Sequence, residues 1–93
     1  LDFSAFKTGS ASSSTITVTE TSHGRSNGDT VRFRDATTFD GITATNLNKA
    51  AGYSITKIDA DSYSFSVDTD TATAGNTKGG GGSASAGPVT ITP

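Results

Sequence analysis

The stretch "YSITKIDADSYSFSV", residues 53–67, decides the fold. Tyr53 and Ile55 share one side of its first half, and Tyr63, Phe65 and Val67 share one side of its second. A period of two puts alternate side chains on the same face of a pleated backbone, so each half predicts a half-buried strand. Between them "DADS" supplies turn formers, whose short polar side chains accept from backbone N–H groups nearby. The segment predicts a β-hairpin.

The same period recurs on both sides. "TITVTE" (15–20) alternates Ile16 and Val18 with threonines, a half-buried antiparallel strand. In "SNGDTVRFR" (26–34) a turn at Asn27-Gly28 precedes a strand with Val31 and Phe33 inward and Arg32 and Arg34 on the other face. From Asp35 to Gly52 the pattern loosens. Ile42 and Leu47 allow a helical turn from Thr45 to Ala51, closed by Gly52. Val89 and Ile91, bounded by Pro88 and Pro93, predict a last strand. About five short strands and one variable loop make an all-β domain, a small antiparallel barrel or sandwich, because two lone hairpins are marginal.

The expected organisation has four parts. Residues 1–14 form a polar leader whose Phe3 and Phe6 dock on this domain or on a neighbour. Residues 15–74 form the β-domain. Residues 75–87 are a Gly/Ser-rich loop or linker, and 88–93 the terminal strand. Four consecutive glycines at 79–82 suit a mobile loop or one packing backbone against backbone.

Composition bounds the function. Ninety-three residues support one small domain, and 31% apolar content promises only a modest core. Serine and threonine make up about a third of the sequence. A net charge of −2 gives no electrostatic case for direct nucleic-acid binding. No apolar run reaches membrane-spanning length, and "LDFSAFKTGS" is too short in apolar residues for a signal peptide. Without cysteine there is neither a disulfide framework nor a thiolate metal site. The absence of methionine suggests a processed chain or an excised piece.

Candidate chemistry is sparse. His23, the only histidine, lies in "TSHGRSNGDTVRF" (21–33) beside Gly24, Gly28 and Asp29. A general base needs a nucleophile and an orienting carboxylate, and neither stands at a recognisable spacing. The four residues fit a turn and strand entry instead. Asp59 with Asp61, and Asp68 with Asp70, form two D-x-D pairs that offer oxygen ligands to a weak calcium site, yet equally serve as turn initiators. Glu20 is the only glutamate, so a complete calcium loop is absent. "GGGG" lacks the Gly-Lys-Ser/Thr of a phosphate loop. Arg32 and Arg34, with Arg25 and Lys57, suit a solvated face or a rim pairing with a neighbouring subunit. Phe3, Phe6 and Phe39 join them as interface candidates. No enzyme, cofactor, resident metal or small-molecule substrate is expected.

Residues 15–67 resemble a small β-module of tailed-phage structural proteins: tail fibres, tail hub or nozzle proteins, and packaged-DNA stabilisation proteins. The resemblance rests on Ile16 and Val18, His23-Gly24, Gly28-Asp29, Val31 and Phe33, Leu47-Asn48, Tyr53 and Ile55, and Tyr63 and Phe65, in that order. The pattern is also similar to the small β-domain of ubiquitin-activating enzymes, whose thioester chemistry a protein without cysteine cannot inherit. The long polar middle, "FRDATTFDGITATNLNK", departs from it. The resemblance implies a structural module of a bacteriophage virion, in the tail, whose partners are other copies of itself or other virion proteins. The alternative is a carbohydrate- or receptor-binding adhesin module of a tail fibre or spike, with Phe39, Tyr53 and Tyr63 as exposed aromatics. A thin core and a polar leader further imply a module that gains order from its neighbours.

Overall fold

The computed structural model describes residues 1–89. Seven short strands and one helical turn occur among them: β1 (Phe6–Lys7), β2 (Thr15–Thr19), β3 (Thr30–Arg34), α1 (Ala44–Leu47), β4 (Tyr53–Ser54), β5 (Thr56–Asp59), β6 (Ser62–Ser66) and β7 (Ser85–Gly87). One sheet has the order β1-β2-β6-β5 and the other β4-β3-β7, with every pairing antiparallel. The result is a sandwich-like pair of sheets, not a closed barrel. No described helix is long and apolar enough to cross a membrane.

Alternation does what the sequence requires of it. Ile16 and Val18 on β2 oppose Phe65 and Tyr63 on β6, so four apolar side chains meet on one face of the sheet. Val31 and Phe33 point inward from β3 in the facing sheet. The core gains density from aromatic contacts. Phe33 stacks on Phe65 at 5.0 Å and meets the edge of Phe6 at 5.1 Å, while Tyr53 lies 4.6 Å from Phe65. Each such pair contributes about 0.5–1.5 kcal/mol beyond the area it buries.

Several expectations need correction. The 53–67 segment is a hairpin only from residue 56 onward: β4 pairs with β3 in one sheet, and the backbone passes at Ile55 into β5 of the other. Tyr53 and Ile55 are buried two residues apart as far as the crossing, so period two does not mark it, although β5 itself is exposed throughout. Of the two outcomes expected for Phe6, docking on this domain is the one found, and residues 6–7 belong to the sheet and not to a leader. Phe6 is fully buried, and β1 pairs with β2. Of the two forms expected for the glycines at 79–82, the packed one is found: their backbone bonds to the backbone of Ser4, Phe6 and Thr37, and a Cβ on Gly80 would also overlap the Phe39 ring and one on Gly81 the Phe6 ring. The last described strand is Ser85–Gly87, while Pro88 and Val89 are not in a strand and 90–93, with Ile91, lie outside the described residues. The helical turn spans Ala44–Leu47, capped by Thr43, whose hydroxyl accepts from the Asn46 N–H.

Candidate functional site

The loop holding His23 runs beside β5, the outer strand of the four-stranded sheet. An outer strand presents unpaired N–H and C=O groups that invite another strand. Here the loop pairs with them one after another. The Ile55 N–H donates to the Asp29 carbonyl at 2.9 Å, and the Gly28 N–H donates to the Ile55 carbonyl at 2.8 Å. Asn27 Oδ1 accepts from the Lys57 N–H at 3.0 Å. His23 Nε2 donates to the Asp59 carbonyl at 2.7 Å, and its backbone N–H to the Ala60 carbonyl at 3.1 Å. The loop thus uses backbone groups at Ile55 and Ala60 and the Asn27 and His23 side chains at Lys57 and Asp59. The loop is an edge cover.

Local geometry explains its composition. Ser26–Asp29 is a β-turn closed by the Asp29 N–H on the Ser26 carbonyl, with Gly28 at φ +89° in its third position. That value suits glycine. The Asp29 carboxylate accepts from the Ser26 N–H at 2.8 Å, and Gly24, at φ +65°, follows the histidine. His23 Nδ1 accepts from the Arg25 N–H at 2.8 Å. Accepting at Nδ1 and donating at Nε2 defines one neutral tautomer. Both ring nitrogens are committed to backbone groups, so proton abstraction from a substrate would first require the cover to break.

Beneath the loop lies a small polar cluster. Glu20 accepts from Arg25 Nε at 3.0 Å and Nη2 at 3.2 Å, and from the Tyr63 hydroxyl at 2.7 Å. Arg25 also sits 5.9 Å above the Tyr63 ring, which meets the His23 ring edge-on at 5.2 Å. Burial raises the Glu20 carboxyl pKa, but hydrogen bonds from Arg25 and Tyr63 outweigh it and hold the group below its ordinary value. Burial and the neighbouring Glu20 carboxylate push the Tyr63 phenol well above its usual range. Burial lowers the Arg25 value, yet its bond to Glu20 leaves it raised overall. The cluster keeps Glu20 and Arg25 charged and Tyr63 neutral. It pins the loop to β2 and β6.

The four aspartates of the two D-x-D pairs are bonded to the protein's own donors. Asp59 accepts from the Asp61 N–H and the Ser62 hydroxyl, and Asp61 accepts from the Ser22 N–H. Asp68 pairs with Lys49 at 2.7 Å, while Asp70 accepts from the Thr43 N–H, the Thr43 hydroxyl and Asn46 Nδ2. The two pairs flank opposite ends of β6, serving its turns and the helix cap. No three His, Cys, Asp or Glu side chains among the described residues converge as metal ligands.

The aromatics proposed for an exposed groove are in the core: Phe39, Tyr53 and Tyr63 are all buried, and Phe6 with them. Phe3 alone among the interface phenylalanines is exposed, at 76%. Arg32 and Arg34 do share the outer face of β3, both half-buried. Arg34 Nη2 donates to the carbonyls of Pro88 and Val89, and Arg32 Nε is shielded without an acceptor among the described residues.

Sequence reading missed a second cover. On the far side of the sheet, Phe6 and Gly80 exchange backbone hydrogen bonds at 2.7 and 3.1 Å, flanked by Ser4 on Gly82 and Thr8 on Asn76. Asp40 organises this side, accepting from the Thr8 hydroxyl and from the N–H groups of Ala74 and Gly75. The Thr8 bond and those backbone donors hold its carboxyl below the ordinary value. The available signal was "FDGI" (39–42), where Asp40 and Gly41 both have positive φ and Phe39 and Ile42 bridge, a tight Asp-Gly hairpin. No protein-family model, curated protein or solved structure matches this sequence.

Proposed function

We propose that this protein is a non-enzymatic structural module of a tailed-bacteriophage virion, placed in the tail and contributing contacts between subunits. One observation carries the non-enzymatic part. The histidine and most of the carboxylates that suggested chemistry are bonded to the module's own turns, caps and sheet edges. The virion assignment draws on the resemblance along residues 15–67. What the surface offers a partner is contact area: Phe3 and Ile58, exposed at 76% and 54%, and the two arginines on the outer face of β3. An adhesin reading gains no support from Phe39, Tyr53 and Tyr63, because none reaches solvent as a sugar platform would.

Light scattering of the purified protein across about two decades of concentration tests the contacts. Self-association that Phe3→Ala weakens, with the unfolding midpoint of the dilute protein unchanged, is the expected result. A protein that stays monomeric throughout, and occupies no density in a map of an intact particle, refutes the proposal.

A further inference from the structure

Asn27 is the only asparagine followed by glycine; Asn46, Asn48 and Asn76 precede Leu47, Lys49 and Thr77. An Asn-Gly pair carries an intrinsic reaction. The glycine nitrogen, once it loses its proton, attacks the amide carbonyl carbon of the asparagine side chain. A new carbon–nitrogen bond closes a five-membered succinimide, the bond from that carbon to the amide nitrogen breaks, and ammonia departs. Water then adds to one of the two ring carbonyls, leaving either aspartate or isoaspartate. The only co-reactant is water. With a side chain on the following residue this closure is hindered, so the other three asparagines are internal controls.

In the folded protein both reacting groups are occupied. The nucleophile, Gly28 N, has its proton in a 2.8 Å hydrogen bond to the Ile55 carbonyl. The electrophile, the amide carbonyl of Asn27, is held across to β5 by the Lys57 N–H at 3.0 Å. The Lys57 bond covers the edge of β5, and the Ile55 bond covers the residue that leads into it. We propose that Asn27 is a fold-gated deamidation site, which reacts only when residues 22–29 lift from β5.

The two products differ in consequence. Aspartate at 27 keeps an oxygen for the Lys57 N–H. Isoaspartate adds a carbon to the backbone between residues 27 and 28 and displaces Gly28 N from Ile55. The cover then cannot close in its original register, and the β5 edge stays open. Deamidation by this route is a one-way release of an outer strand.

Peptide mapping by mass spectrometry after incubation at mildly alkaline pH provides the test, on the full-length protein, folded and in urea. Two hydrogen bonds of ordinary net strength should slow Asn27 roughly thirtyfold in the folded protein. In urea Asn27 should outpace Asn46, Asn48 and Asn76. His23→Ala, which removes one anchor of the loop, should speed the native reaction roughly fivefold. If that variant does not fold, a urea series below the unfolding transition of the native sequence replaces it, with a rate that climbs before global unfolding. Amide exchange at Lys57 should be faster in the isoaspartate fraction than in unmodified protein. Equal rates folded and unfolded, an Asn27 that survives in urea as the other asparagines do, or unaltered Lys57 exchange in the isoaspartate form would each overturn the proposal.

Discussion

Glu20 shows how individual residues carry this structure. It gathers three donor contacts, two from Arg25 and one from Tyr63, at the junction of the His23 loop and the four-stranded sheet. Because its folded pKa lies below the ordinary 4.5, its contribution to stability is complete above that pH and is lost as pH falls through the folded value. Asp40, Asp59 and Asp70, all held below 3.8 by hydrogen bonds, act in the same direction at lower pH. Glu20→Gln should therefore flatten the first part of the acid limb in urea-unfolding midpoints measured from neutral pH downward. Tyr63→Phe removes a hydrogen bond to a charged acceptor and should cost about 1.5 kcal/mol at neutral pH. The tyrosines titrate in the opposite sense. Both folded values are raised above 10.0, chiefly by burial, so their contribution is present below that pH and lost as pH rises through the folded values. Tyrosinate absorbance at pH 10.0 should accordingly be lower in the native protein than after unfolding. None of this was legible from spacing, because Glu20, Arg25 and Tyr63 come together only when β2 and β6 pair.

Among the elements, the organising problem is the outer strands. β5 is covered by residues 22–29 and β1 by the glycine-rich segment, each using irregular backbone to satisfy a strand. This is why the polar and glycine-rich stretches are not linkers. Gly80 must be bare for its backbone to lie against Phe39 while bonding to Phe6. Its φ is ordinary for any residue, so Gly80→Ala is a steric test alone and should destabilise by about 2 kcal/mol through overpacking. Phe3→Ala, at an exposed position, should stay within about 0.5 kcal/mol in the same thermal or urea measurement. A comparable loss in both would contradict the packing of the glycine segment. Alternation made β2, β3 and β6 legible, because period two directly specifies which face is buried. It left β1 and β7 obscure, since two- and three-residue strands contain too little pattern to register. It also merged β4 with β5, which lie in different sheets but follow directly on one another after the Tyr53 and Ile55 pair, β5 itself being exposed throughout.

At the scale of the whole molecule, low apolar content proved compatible with a continuous core from Phe6 to Ala84. Threonine and serine occupy outward positions of the strands, while Phe6, Phe33, Phe39, Tyr53, Tyr63 and Phe65 are concentrated inside. Composition averages over both faces and therefore understates the core. Phe6, part of the leader that suggested dependence on neighbours, is directed into the protein's own packing, and the glycine run packs there too. Segments that resemble a site and a linker are thus covers of the molecule's own sheet edges. Native-state amide exchange tests that most directly. The amides of Phe6, Gly28, Ile55, Lys57 and Gly80 should exchange clearly more slowly than in an unstructured peptide. Exchange at these five positions as fast as in an unstructured peptide, while β2 and β6 remain protected, would contradict it.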